Sequence, residues 1–285
     1  MFTMSKPIIS QKNQSKPNMQ QTTLIKLGGS VITHKNLVNA MRNEVLTDLI
    51  SQISEYRVQH PDDLLIVGHG QGSFAHIPAK MYNTKDGFIN QNSQYGMAVT
   101  QHSVGQAHQL VIQEMLNQKL PAVSFRVNSS VVTSSSKKKV FTTDVLVEYL
   151  HQNLLPITCG DVVVDSKQGC AIWSTERILE EVAVDFLAKD FMVQRIIHVT
   201  DVDGVLDLNN RTISLINRQN ADEVKDAIVD PKVVDVTGGM WHKIQSCLTM
   251  ADLGVESAII SGFAEKNLYN CLLRKKFIGT TIKAV

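Results

Sequence analysis

Apolar runs that end on glycine set the strongest constraint on this chain. TTLIKL runs into Gly28-Gly29, DLLIV into Gly68, LLPITC into Gly160, QRIIHVTDVD into Gly204 and VESAIIS into Gly262. Such apolar runs, bounded by turn residues, read as buried strands. Segments with helical spacing separate them: Leu46, Leu49, Ile50 and Ile53 share one face within about 39–58, and a longer helix is predicted over about 93–118. Strands alternating with helices predict an α/β fold, a three-layer α/β/α sandwich around a mainly parallel central sheet. In such sheets ligands bind beyond the carboxyl ends of the strands, which is where these glycines fall.

The rest of the pattern continues the alternation. VVVD and CAIW predict a hairpin turning at Ser166–Gly169, and SSSKKK at 134–139 reads as an exposed loop. Helices are predicted over about 175–189, 219–229, after DVTGGMWHK to about 253, and over 266–273, with a last strand near 279–283. The first 21 residues are polar, carry lysine but no acid, and include two prolines. They are expected to be a disordered tail before a domain spanning 22–285.

Charge narrows the function. The formal net charge is +1 on 285 residues, so nucleic acid is not an expected partner. No apolar run is long enough to predict a membrane span. The four cysteines are scattered with no CxxC pair, which argues against a zinc site or disulfide framework and for a cytoplasmic setting.

What the strand ends offer is backbone and lysine. In GHGQGSFAH, residues 68–76, glycines let N–H groups approach a ligand closely, and a turn opening into a helix suits an anion. Neither a Walker A loop nor a GxGxxG fingerprint is present. Lys26 interrupts an apolar strand, where an ammonium is costly unless it reaches a partner or a ligand. Lys35 and Lys243 follow two Gly-Gly turns, and three such lysines suit a polyphosphate.

LIKLGGSVITHK, HGQGSFAH, LPITCGDVVVD, VTDVDGVLD and DVTGGMWHK, in that order, resemble the amino acid kinase superfamily, and within it the isopentenyl phosphate kinases. The resemblance covers about 22–285, and the histidine closing the glycine segment is its most discriminating feature. It implies transfer of the γ-phosphoryl of ATP to isopentenyl phosphate, with Mg2+ carried by ATP, no metal ligands of the protein's own, and a homodimer. It also implies an acceptor part over about 22–165 and a nucleotide part over about 166–285.

The same resemblance distributes roles. Lys26, Lys35, His76 and Lys243 are the implied catalytic residues. Lys26, Gly28, Gly29, Ser30, Gly72, Asp201, Gly239 and Lys243 would contact ATP, while Gln71, His76 and Gly160 would face the acceptor. Asp161 supports the Gly160 turn or meets a lysine; His69 is structural, and Trp241 and His242 shield the loop. Residues around 79–100 are expected to line the acceptor pocket, and Met81, Tyr82, Phe88, Tyr95 and Met97 within them favour an apolar one.

Three positions depart from the family pattern. Gln71 and Ala75 stand where glycines are usual, and WSTERI at 173–178 replaces a Ser-Gly-Asp-Asp run. Glu176 is then the lysine-orienting acid and Arg177 stands in place of a second one. These departures keep two other readings open: a kinase for another small phosphate or phosphonate, and a non-catalytic nucleotide-binding sensor.

Overall fold

The computed structural model describes residues 21–34, 37, 39–189, 191–228 and 238–285. The expected tail falls outside them except for Gln21, which opens the first strand. In chain order, β1 (Gln21–Leu27), α1 (Gly29–Ile32), α2 (Asn43–Gln59), β2 (Leu64–His69), α3 (Ser73–Met81) and α4 (Ser93–Asn117) come first. Then follow β3 (Ala122–Ser124), β4 (Val131–Ser134), β5 (Lys137–Phe141), α5 (Asp144–His151), β6 (Leu155–Cys159), β7 (Asp161–Asp165) and β8 (Gly169–Trp173). The chain continues through α6 (Thr175–Ala188), β9 (Met192–Thr200), β10 (Leu215–Ile216), α7 (Ala221–Ile228), α8 (Gly238–Asp252), β11 (Glu256–Ser261), α9 (Asn267–Leu272) and β12 (Gly279–Ile282).

The main sheet runs β10-β12-β11-β9-β1-β2-β6-β3. Its pairings are parallel except that between β11 and β12. β1 stands in the middle, with β2, β6 and β3 to one side and β9, β11, β12 and β10 to the other. Side chains alternate across it. Ile25 and Leu27 pack with α2, α4 and α9, whereas Leu24 packs with α5 and α6 on the opposite face. Helices thus cover both faces, as the sequence pattern predicts.

A second sheet, β5-β4-β7-β8, was not anticipated. The β7–β8 hairpin is the predicted one, and its turn holds the expected boundary between acceptor and nucleotide parts. The SSSKKK segment corrects the sequence reading: Ser134 ends β4 and Lys137–Lys139 begin β5. Ser135 and Ser136 both take positive φ (50° and 61°), which makes the two-residue turn that a right-twisted hairpin prefers. Three lysines then lie on an edge strand, where charge deters pairing with another chain.

Asp165 locks this sheet. Its buried carboxylate accepts from the Thr133 hydroxyl (2.7 Å) and from the amides of Ser135, Ser136, Lys167 and Gln168 (2.7–3.1 Å). Two turns are therefore capped by one side chain. Burial alone would raise this carboxyl, but the donors outweigh it and hold it below the usual range. Its contribution to stability is therefore present above the unfolded-state value and is lost as pH falls through the lower folded value. Asp165→Ala should destabilise the protein by about 3 kcal/mol, since several buried donors lose their partner at once. Urea unfolding at neutral pH measures this, and the difference from wild type should shrink toward strongly acidic pH.

Candidate active site

Two glycine turns meet at the carboxyl edge of β1 and β2. A Cβ on Gly29 would lie 2.6 Å from the Gly72 nitrogen, and one on Gly70 would lie 2.5 Å from the Gly29 nitrogen. Only glycine permits that approach. Gly72 also takes φ 48°, which turns the chain into α3. Among the described residues, the amides of Gly29, Ser30, Gln71 and Gly72 have no hydrogen-bond partner. A set of such N–H groups, two of them at the start of a helix, is an anion cradle.

That cradle floors a cleft of about 540 Å³. The cleft gathers Lys26, Gly28, Gly29, Ser30, Gln71, Gly72, His76, Gly160, Glu176, Asp201 and Lys243. Gly239 lies instead in an adjoining hollow between α6 and α8, beside His242. Lys35 lies outside the described residues, as do residues 235–237 of the DVTGG stretch.

Lys26 lies next to Gly68 in register and shares the face of Leu24, toward α6. The missing side chain at Gly68 admits α6: a Cβ there would meet Thr175 at 2.5 Å. The Lys26 ammonium donates to the Glu176 carboxylate, and Lys243 approaches the same oxygen at 3.9 Å. Burial would raise the Glu176 carboxyl, but Lys26 and then Lys243 pull it down to about 2. Lys243 is lowered too: burial and the nearby Lys26 lower it, while Glu176 and Asp201 oppose the change.

Each residue of STER has a separate job. Ser174 caps α6, accepting from the Arg177 amide (3.2 Å). The Thr175 hydroxyl donates to the His69 carbonyl (2.7 Å) and accepts from the Gly160 amide (2.9 Å), joining the ends of β2 and β6. Glu176 stands between the lysines. Arg177 turns away from the cleft, stacks over Trp173 (4.7 Å) and donates to the Ser136 carbonyl (2.7 Å). The charge change at this position therefore tethers the second sheet and leaves one acid facing the two lysines.

His76 is exposed on α3 and lines the cleft. Pro78, two residues on, cannot donate to the Phe74 carbonyl, and the Ser103 hydroxyl of α4 does so instead (2.6 Å). The proline break thus becomes a tie between α3 and α4. Ala75 sits in regular helix, so its replacement of glycine costs no strain. The Gln71 side chain crosses to the next turn and donates to the Gly160 carbonyl.

Asp161 resolves to the supporting role. It accepts from Arg126 (2.5 Å), Asn128 (2.8 Å) and the Val162 amide (2.8 Å). Burial pushes its carboxyl up to about 6, with Arg126 pulling the other way. Trp241 packs against the core under α8, while His242 is exposed.

The apolar wall of the cleft corrects the sequence reading. Ala75, Ala79, Thr100, Val104, Val162 and Ile172 form it. Met81, Tyr82, Phe88, Tyr95 and Met97 do not: Tyr82 packs against Gly96 and Tyr95, Phe88 against Gly169, and Met81 is exposed. Ala79 and Thr100 fall within the expected 79–100 stretch, whereas Ala75, Val104, Val162 and Ile172 lie outside it, where nothing in their spacing distinguishes pocket from core. Thr175 was missed too, although a threonine just past a strand end is a familiar hydrogen-bonding signal.

Glu176→Gln should raise the KM for ATP about tenfold, because the two lysines lose the charge that holds them together. Lys243 should then lose its proton at lower pH than in wild type, since an opposing anion is gone. The alkaline limb of the pH–rate profile reports that shift.

The profile of the amino acid kinase family matches residues 21–261. The isopentenyl phosphate kinase of Methanocaldococcus jannaschii is 32% identical over 259 residues, covering 88% of this chain and 95% of the relative. That of Methanothermobacter thermautotrophicus is 31% identical and covers 91% and 98%. A solved structure described as X-ray structures of isopentenyl phosphate kinase superposes with a TM-score of 0.76 at 26% identity, over 92% of this chain and 100% of that one. A two-turn glycine cradle, a lysine pair bridged by an acid and these matches agree: the chain belongs to the amino acid kinase family.

Proposed function

We propose that this chain transfers the γ-phosphoryl group of ATP to isopentenyl phosphate, giving isopentenyl diphosphate and ADP. The observation that carries the reading is His76, exposed in the cleft beside the unpaired amides of Gln71 and Gly72. An imidazole and backbone donors at that place suit an acceptor that is already a phosphate. The relatives named isopentenyl phosphate kinase support the choice of acceptor.

The chemistry follows from charge. The attacking group is an oxyanion at neutral pH, so no general base is required. The obstacle is repulsion between two anions, which a cleft of low polarity amplifies. Preorganised donors and cations offset it. Lys26 and Lys243 would sit along the ATP phosphates, with the Gly29 and Ser30 amides below them. Gln71, Gly72 and His76 would hold the acceptor in line, beside the small apolar wall that takes its hydrocarbon end; the Gly160 amide and carbonyl are already engaged by Thr175 and Gln71, so Gly160 shapes the turn and donates nothing. Of the cleft carboxylates, Glu176 is engaged by Lys26 and Asp161 by Arg126, and Mg2+ would arrive carried on the ATP phosphates. Bound there, Mg2+ would supply further charge neutralisation.

A cytoplasmic setting and a homodimer go with the same reading; the cysteines are all free and buried thiols. Lys35 and Gly239 are assigned to the nucleotide by the family resemblance.

Steady-state kinetics with ATP, Mg2+ and isopentenyl phosphate tests the proposal. His76→Ala should lower kcat/KM for the acceptor by at least about a hundredfold, a loss of ~2.7 kcal/mol in the transition state. Wild-type turnover of a small phosphonate in preference to isopentenyl phosphate would sink the assigned acceptor. ATP binding with no turnover of either would leave the sensor reading. Gln71→Gly frees the Gly160 carbonyl and widens the gap between the two turns. It should change the acceptor KM by about threefold or more with the ATP KM within about twofold.

A further inference from the structure

Behind the cradle lies a line of polar side chains for which the reaction scheme has no use. His69 ends β2 on the face toward α4 and is fully buried; His108 of α4 is 1% exposed. His69 Nε2 lies 2.9 Å from His108 Nδ1, and His108 Nε2 lies 2.9 Å from the Ser124 hydroxyl at the end of β3. His69 Nδ1 lies 3.2 Å from the Gly70 carbonyl oxygen.

The direction of these bonds is fixed from one end. A carbonyl only accepts, so His69 Nδ1 carries the proton. His69 Nε2 must then accept, which puts a proton on His108 Nδ1. His108 Nε2 accepts in turn from the Ser124 hydroxyl. Both rings are neutral in this arrangement, and burial, with the nearby Arg126, keeps them so: it lowers His69 to about 4 and His108 to about 2. Cys159 lies close to both rings, with its Sγ within 4.8 Å of their nitrogens. The facing ring nitrogens, however, share a proton and have no lone pairs to spare for a metal.

The chain ends on a peptide that matters. In a trans peptide the C=O and N–H point in opposite directions. Holding the Gly70 carbonyl back toward His69 therefore aims the Gln71 N–H forward, and that amide has no partner among the described residues. We propose that Ser124, His108 and His69 form a positioning relay that orients the Gly70–Gln71 peptide so that its N–H serves the acceptor phosphate. The first histidine of GHGQGSFAH then acts through the backbone, while the second faces the cleft directly.

The relay rests on the kinase reading for its acceptor, and its test separates the two. His108→Leu removes the donor to His69; His108→Asn keeps an N–H near the place of Nδ1. The leucine variant should lower kcat/KM for isopentenyl phosphate about tenfold with the ATP KM within about twofold, and the asparagine variant should recover to within about threefold of wild type. Ser124→Ala should lower kcat/KM for the acceptor by about threefold. In wild type, nitrogen-15 NMR should show His69 protonated at Nδ1, a readout that needs no substrate and no variant. Asparagine no better than leucine, equal losses for ATP and acceptor, or His69 protonated at Nε2 would each overturn the relay. If the leucine variant does not fold, Ser124→Ala and the wild-type spectrum decide. Absence of wild-type turnover counts against the kinase reading, and the spectrum then judges the relay alone.

Discussion

In the cleft, Gly29 and the Gly70–Gly72 turn come so close that no Cβ fits between them. Everything at the carboxyl edge is arranged by this approach. Without side chains between them, the ends of β1 and β2 present their amides to one small volume. The approach also lets Thr33 reach the second turn, where its hydroxyl meets the Ser73 amide (3.4 Å). A methyl group at either glycine would have to displace backbone, which a close-packed interior resists. The anion cradle is therefore a property of main-chain geometry, and the side chains around it adjust its charge.

That charge is set by the local sequence. Lys26 sits in the central strand, where a lone ammonium would be costly, and Glu176 provides its counter-ion. Lys243 shares the same carboxylate. The two ammonium groups share this one carboxylate at the place where phosphates would lie, and Asp201 also acts on Lys243. An acid at position 177 would add negative charge near this group, but Arg177 is engaged by Trp173 and Ser136. His198, buried beside this group and lowered to about 3 by burial and then by Lys243, adds volume without charge.

Much of this was legible beforehand, and for physical reasons. Gly28, Gly29, Gly68 and Gly160 mark strand ends because only short residues fit there, so a pattern of apolar runs and glycines encodes the edge of the sheet. Lys26 stood out because it breaks an apolar run. The Ser135-Ser136 turn did not, since its backbone conformation is more often carried by Asn-Gly, and three lysines read as a loop. The acceptor wall was placed only in part: the 79–100 stretch supplies Ala79 and Thr100, but its large apolar residues pack elsewhere, and Ala75 lies outside it. Bridges such as Thr175 between β2 and β6 connect residues far apart in sequence, which no local pattern records.

The strand order has a bearing on how the chain is assembled. β1 is the first strand in sequence, yet its partners are β2 and β9. The β2 side can be joined early, as residues through β6 become available to it. The β9 side stays an open edge until residue 192 and beyond have emerged from the ribosome. During synthesis, then, this central strand waits with one flank unpaired, and its Lys26 waits for a carboxylate partner on α6, the helix just before β9. Slow translation through α6 would prolong that exposure, and a chaperone that recognises extended apolar segments would find its binding site at β1.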